Sequence, residues 1–367
     1  MKINDAKKLI TATFSYNLSQ WKGKSTDINK FVCPTLLGDP GVGKTTLIRQ
    51  VAKELDVPIS VSIFAQMDAG ELGGFGIPKM APLVDGSGNT VLDEDGKPYM
   101  VDVVVRARPD HLPTFDYGFF VLDEIPQAVL MNQNVASQLV NEYHIGKHGI
   151  SHGITICCTG NKPENKAGTT PMPSHLVDRL CLITIDVDYG DWLLYAQSRQ
   201  FDPMIRAYLE QNQADLHRFE PGAKACPTPR SWEKANAFLS MNLPEHILSE
   251  TLAGTIGAGV APKFIGWCKV RDKLPKLQDI LAHPNDAPVF GNREADINYL
   301  LLANLADIAD EQNIEPMLQY IRRMPNQEFA IYWARDMLNQ HPEIGENKHF
   351  TKWNMTQGVK LLSGDEV

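Results

Sequence analysis

Residues 36–55, LLGDPGVGKTTLIRQVAKEL, hold the pattern G-x-x-x-x-G-K-T. Such a glycine-rich turn cradles phosphate only when a strand delivers the chain into it and a helix opens directly after it, so the pattern dictates its own flanks. Both flanks are present. The preceding FVCPTLL reads as a short buried strand, with Pro34 tolerated near its start or at an edge, and Leu47, Ile48, Val51, Ala52 and Leu55 share one face at helical spacing. Across Gly38, Asp39, Pro40, Gly41, Val42, Gly43, Lys44, Thr45 and Thr46, the glycines let backbone amides converge on phosphate oxygens. Lys44 is placed to meet the β and γ phosphates of ATP and Thr45 to offer its hydroxyl to Mg2+.

The same logic organises the rest of the chain. VPISVSI, YGFFVLDE, GITICCTGN and LCLITIDV read as four further strands, apolar along their length and alternating with helical segments, which predicts an α/β fold: a parallel sheet covered on both faces in an αβα core. From Asp191 onward the strand pattern stops, and DWLLYAQS, RSWEKANAFLSM, DINYLLLANLADIADE and EFAIYWARDMLNQ read as helices. Residues 80–107 differ from both halves, with Asp85-Gly86 and Asp95-Gly96 as hairpin signals around β-rich runs, and read as a β insertion. The expected organisation is an N-terminal helical segment over 1–30, the core over 31–190, an α-helical lid over 191–310 and a C-terminal helical extension over 311–367. No internal repeat is evident.

Three strand ends or helix starts carry further chemistry. Asp123 closes the buried FFVLD run, where a carboxylate can hold a magnesium shell, and Glu124 beside it can orient or deprotonate an attacking water. An acidic pair ending a surface strand is common, but four apolar residues drive this one into the crevice where α/β sheets bind ligands. Asn161 ends CTGN at the same sheet edge, either as an ordinary turn amide or as a holder of the lytic water. In TPRSWEKA, Thr228 can cap a helix and Pro229 suits its first position, which places Arg230 in the first turn. A cation there opposes the helix dipole by about 0.3–1 kcal/mol, so either an anionic partner or plain solvation accounts for it.

Composition narrows the class. With 44 acidic against 35 basic residues, the net charge of −9 disfavours a large nucleic-acid footprint. No run of 18 apolar residues and no signal core is present in the 367 residues, which leads to a soluble, cytoplasmic expectation without membrane contact. The six cysteines lack framework spacing and fit reduced thiols. His144, His148 and His152 recur every four residues, yet Gly146, Gly149 and Gly153 break any helix that would align them as metal ligands, and a hairpin or loop is the better reading. The stripe Trp232, Ala235, Leu239 reads as helical core.

Taken in order, GDPGVGKTT, VLDE, TGN, HLVDRL and TPRSWE resemble an AAA+ ATPase of the MoxR type. DAGELGGFGIP, DWLLYA and YIRRMPNQEFAIYWARDM resemble more closely a branch of it common in bacterial and phage genomes. The resemblance runs from about Phe31 to Asp336. It implies an ATP hydrolase with an αβα core and helical lid, assembled as a homo-oligomeric ring, usually a hexamer, with nucleotide at subunit boundaries. It matches Asn161 to the sensor-1 position, Arg179 to the arginine finger and Arg230 to the sensor-2 arginine. It implies a chaperone-like remodelling of a protein client, and the family's genes often accompany ones for von Willebrand-type or metallopeptidase-like proteins. Arg179-Leu180 stands where the family has arginine-phenylalanine, and the insertion between Gly74 and Pro109 is longer than is typical. By the same likeness this insertion and NEYHIGKHGISHGI face the ring pore or the client, against the plainer reading of two surface hairpins. Two other functions fit the motifs: a DNA-directed ATPase such as a helicase loader or restriction-type motor, and a nucleotide-binding scaffold that hydrolyses slowly.

Overall fold

The computed structural model describes residues 1–358 other than 26, 166, 167 and 169, and divides into two compact units, Met1–Asp186 and Val187–Val367. Residues 359–367 of the expected C-terminal extension lie outside the described residues.

The first unit opens with helix α1, Ile3–Lys22. Strand β1 is Pro34–Gly38, helix α2 Lys44–Glu54 and strand β2 Ile59–Ile63. A short α3, Ala69–Gly73, precedes β3, Gly76–Pro82, and β4, Met100–Arg106. Then come β5, Tyr117–Asp123, and α4, Leu130–Glu142, followed by the two-residue strands β6, His144–Ile145, and β7, His148–Gly149. Strand β8, Gly153–Asn161, helix α5, Ser174–Val177, and strand β9, Cys181–Ile185, complete the unit. Strand β1 starts at Pro34 rather than at Phe31, because a residue without an N–H fits the first position of a strand.

Five strands form one parallel sheet in the order β2-β5-β8-β1-β9. The inner strands β5, β8 and β1 are apolar on both faces because both faces are covered, whereas the edge strands β2 and β9 are partly exposed. Phe14 of α1 meets Phe119 of β5 with ring centroids 4.8 Å apart on one side. On the other, Phe120, Leu122, Ile154, Ile156 and Cys158 pack with Ala136, Leu139 and Val140 of α4. Cys157 and Cys158 therefore face opposite layers, and Cys33, Cys157, Cys158, Cys181 and Cys226 are free thiols.

The insertion is an antiparallel ribbon, β3 against β4, paired from Gly76–Arg106 to Pro82–Met100. Its tip corrects the expectation that the chain has no repeat: residues 83–90 and 91–98 are two copies of one eight-residue turn unit. Asp85 N donates to Asn89 O at 2.9 Å and Asp93 N to Lys97 O at 2.7 Å. The Asp85 carboxylate accepts from the amides of Ser87 and Asn89, and that of Asp93 from those of Asp95 and Lys97. Each unit turns on a glycine of positive φ, Gly88 at 85° and Gly96 at 76°. Leu83, Val91 and Tyr99, eight residues apart, close a ring of main-chain bonds: Leu83 N to Tyr99 O, Val91 N to Leu83 O and Tyr99 N to Val91 O, at 2.8–2.9 Å. At its base the ribbon reaches β6–β7, where Arg108 Nη1 donates to Gly149 O at 2.9 Å and His148 Nε2 lies 3.0 Å from Arg106 O.

The second unit is helical among its described residues: α6, Tyr189–Ser198; α7, Pro203–Gln211; α8, Pro229–Ser240; α9, Glu245–Ile256; α10, Ala261–Cys268; α11, Leu277–Ala282; α12, Ala295–Asp307; α13, Ile314–Ile321; α14, Gln327–Gln340; and α15, Lys348–Trp353. Trp232 and Ala235 are fully buried in its core. The Trp232 indole donates to Asp215 O at 2.9 Å. Arg206, 1% exposed, is bidentate to the fully buried Asp336 and also pairs with Asp307. No described helix is long and apolar enough to cross a membrane.

Candidate active site

β5, β8 and β1 are neighbours in the sheet, and their carboxyl ends carry Asp123, Asn161 and Gly38 side by side, with Gly38 and Asn161 in register. The loop from Gly38 turns into α2 through Gly41 at φ 80° and Gly43 at φ 93°, left-handed positions that a glycine adopts at no steric cost. A Cβ at Gly43 would meet nothing within 4 Å, so conformation rather than crowding requires glycine there, and the space above it is open.

Lys44 Nζ donates to Gly38 O at 2.9 Å, Asp39 O at 2.9 Å and Asn161 Oδ1 at 3.2 Å. These three acceptors are neutral oxygens. Thr45 Oγ1 donates to Asp123 Oδ2 at 2.9 Å. The other carboxylate oxygen accepts from the Glu124 amide at 3.1 Å and from the buried Thr159 hydroxyl. A lysine ammonium at the helix N-terminus that follows a glycine-rich turn fits a phosphate chain. A hydroxyl beside a carboxylate is a hard-oxygen pair suited to Mg2+.

Glu124 sits at φ 60° and ψ 35°, a left-handed conformation that costs a non-glycine residue about 1–2 kcal/mol. Its surroundings hold it there. Gln127 and Ala128 amides both return to Glu124 O at 3.1 Å, closing a 3-10 turn over Ile125–Gln127. From below, the fully buried Gln133 of α4 donates to Ile125 O at 3.3 Å and Ala128 O at 3.1 Å. From the strand side, Asn161 N donates to Gln127 Oε1 at 3.4 Å, and Pro126 lies flat against Gly160. The turn bearing Glu124 and the strand end bearing Asn161 are thus one packed body.

Lys44 contacts Asn161, Thr45 contacts Asp123, and Glu124 follows Asp123 directly. Arg179 is elsewhere: exposed after α5, it donates through Nε to Asn141 Oδ1 at 2.7 Å and through Nη1 to His175 O. Arg230 belongs to the second unit. Thr228 caps α8 through a reciprocal bond with Ser231, Pro229 opens it, and Arg230 is exposed in its first turn. The three histidines are dispersed on the β6–β7 hairpin and beyond it, His144 beside Glu142 and His152 against Phe31 and Tyr143. Among the described residues no group of three or more His, Cys, Asp or Glu could hold a metal ion.

Sequence reading passed over Thr159, Gln127, Gln133 and Asn141. Thr159 had a signal: it lies two residues before Asn161 on the same face of one strand.

Among curated proteins none matches this sequence. Of solved structures, a mutant of RuvB from Thermotoga maritima is similar over 82% of this chain and 84% of its own, at 14% identity and a TM-score of 0.36. NtrX from Brucella abortus is similar over 90% of this chain and 64% of its own, at 16% identity and a TM-score of 0.36. The structure of NtrX in complex with ATP is similar over 96% of this chain and 68% of its own, at 13% identity and a TM-score of 0.35. Residues 34–166 match the profile of the ATPase family associated with various cellular activities (AAA), so the segment that carries the phosphate loop, Asp123 and Asn161 is an AAA ATPase domain.

Proposed function

We propose that this chain is a magnesium-dependent ATPase of the MoxR type that works as a cytoplasmic ring, a hexamer by the family likeness, and remodels a protein client. The observation that carries the reading is the junction of Lys44 with Asn161 and of Thr45 with Asp123 at three adjacent strand ends. Lys44 and the loop amides bind the β and γ phosphates, while Thr45 and Asp123 hold the metal. When bound, ATP and Mg2+ supply the phosphoryl group to be transferred and the charge that polarises it. Glu124 accepts a proton from the attacking water, and Asn161 holds that water between Glu124 and the γ phosphate. Arg230, on the lid over 191–310, reports the nucleotide to the helical half. Arg179 completes a neighbouring subunit's site, and the ribbon and the β6–β7 hairpin engage the client, a von Willebrand-type or metallopeptidase-like protein by the same likeness.

A mixing experiment tests the ring. An arginine finger is worth on the order of 10³–10⁵ in rate, so Arg179→Ala should bind ATP and hydrolyse it poorly. Lys44→Ala lacks its own pocket but keeps the finger. Mixing the two under subunit exchange should restore part of the phosphate release, with native mass spectrometry showing mixed assemblies. Mixed rings without recovery would contradict a finger acting in trans.

A further inference from the structure

Asp39 is an awkward residue for a phosphate-binding loop. It sets a carboxylate between Gly38 and Pro40, on the residue whose carbonyl receives Lys44 Nζ at 2.9 Å. A negative charge free to turn toward a polyphosphate opposes its binding, the more so where protein walls lower the dielectric.

The turn that follows β8 takes hold of this carboxylate. Asn165, only 9% exposed, donates through Nδ2 to Asp39 Oδ1 at 3.0 Å. Lys162 Nζ stands 3.9 Å from the same oxygen and 3.3 Å from Asp186 Oδ1. Both side chains leave one turn, closed by Asn165 N donating to Lys162 O at 3.1 Å. That turn begins directly after Asn161, which itself accepts from Lys44. The strand end that meets the lysine therefore also anchors the loop's own acid.

We propose that Asn165, assisted by Lys162, is a positioning residue for nucleotide: it pins the Asp39 carboxylate to the turn after β8 and so keeps a negative charge from swinging into the phosphate cradle. The inference rests on the nucleotide reading of the loop. It goes beyond that reading by giving Asn165 a role that acts through the charge of Asp39 and not through packing alone.

The test is the affinity for Mg·ATP at low salt, read by calorimetry, with melts to confirm folding. Asn165→Ala should weaken binding on the order of tenfold, with KM rising and kcat little changed, and the deficit should shrink as salt is added. Asn165→Asp should weaken it further, since two carboxylates then face each other. The exchanged pair Asp39→Asn with Asn165→Asp restores an amide–carboxylate bond and moves the charge off the loop, so affinity should recover to within about threefold of the parent. Asp39→Asn should bind equally well with or without Asn165→Ala. A folded Asn165→Ala protein that binds like the parent would overturn the proposal, as would an exchanged pair no tighter than Asn165→Asp alone. A parent chain that does not bind ATP at all would overturn the nucleotide reading itself.

Discussion

Gly160→Ala should disable hydrolysis while sparing ATP binding. A Cβ at this position would lie 2.2 Å from Pro126 Cδ and 2.5 Å from Pro126 Cγ, with Gln127 Oε1 at 3.3 Å. Ordinary carbon contacts need about 3.5–4.0 Å, and a proline ring cannot rotate away, so the turn over Ile125–Gln127 and the end of β8 must part by roughly 1 Å. That movement separates Glu124 from Asn161, the two groups assigned to the attacking water. Overpacking of this kind costs about 1–3 kcal/mol of stability. A misplacement on the scale of 1 Å at reacting groups costs on the order of 10²-fold in rate. Lys44 and Thr45 belong to α2 and not to the displaced turn, so affinity for ATP should stay within about threefold of the parent. Phosphate release, calorimetric ATP binding and a thermal melt on the same preparation separate the three effects. A folded Gly160→Ala protein that turns over at the parent rate would refute the coupling between the Glu124 turn and Asn161.

Thr159→Val removes one hydrogen bond to Asp123 at little change of shape, and turnover should fall about tenfold with the Mg2+ requirement moved to higher concentration; an unchanged magnesium titration would count against Asp123 as a metal holder. Replacing residues 84–98 by Asn-Gly should leave the melt and basal turnover within about twofold of the parent, because Leu83 and Tyr99 already meet across the ribbon; loss of cooperative melting would make the tip structural instead of an effector. Arg206→Met strands Asp336 without its bidentate partner and should cost about 3–5 kcal/mol in chemical denaturation; a loss below about 1 kcal/mol would show that the buried pair contributes little.

Much of this was legible in the sequence for a definite reason. A strand buried on both faces must be apolar throughout, so YGFFVLD and GITICCTGN announce both themselves and the parallel sheet that covers them. The loop motif fixed where Lys44 and Thr45 would stand because its flanks have only one workable geometry. Gln127 and Asn165 were not legible, since their contacts depend on the register of β8 beside β5 and β1 and on a turn whose path no local pattern encodes. The eight-residue repeat escaped because its copies share only Asp85 with Asp93 and Gly88 with Gly96 at matching turn positions, while Leu83, Val91 and Tyr99 are related by main-chain bonds. The role given to Arg179 is beyond local reading for another reason: in this chain its guanidinium rests on Asn141 and His175.

In the proposed site one residue set binds the phosphates and another acts on water. Calorimetric ATP binding and steady-state phosphate release, measured together on the parent, Lys44→Ala and Glu124→Gln, test it most directly. The parent should show magnesium-dependent turnover, Lys44→Ala should lose tight binding, and Glu124→Gln should bind fully with turnover abolished. A Glu124→Gln protein that releases phosphate at the parent rate, or a Lys44→Ala protein that binds ATP as tightly as the parent, would contradict it.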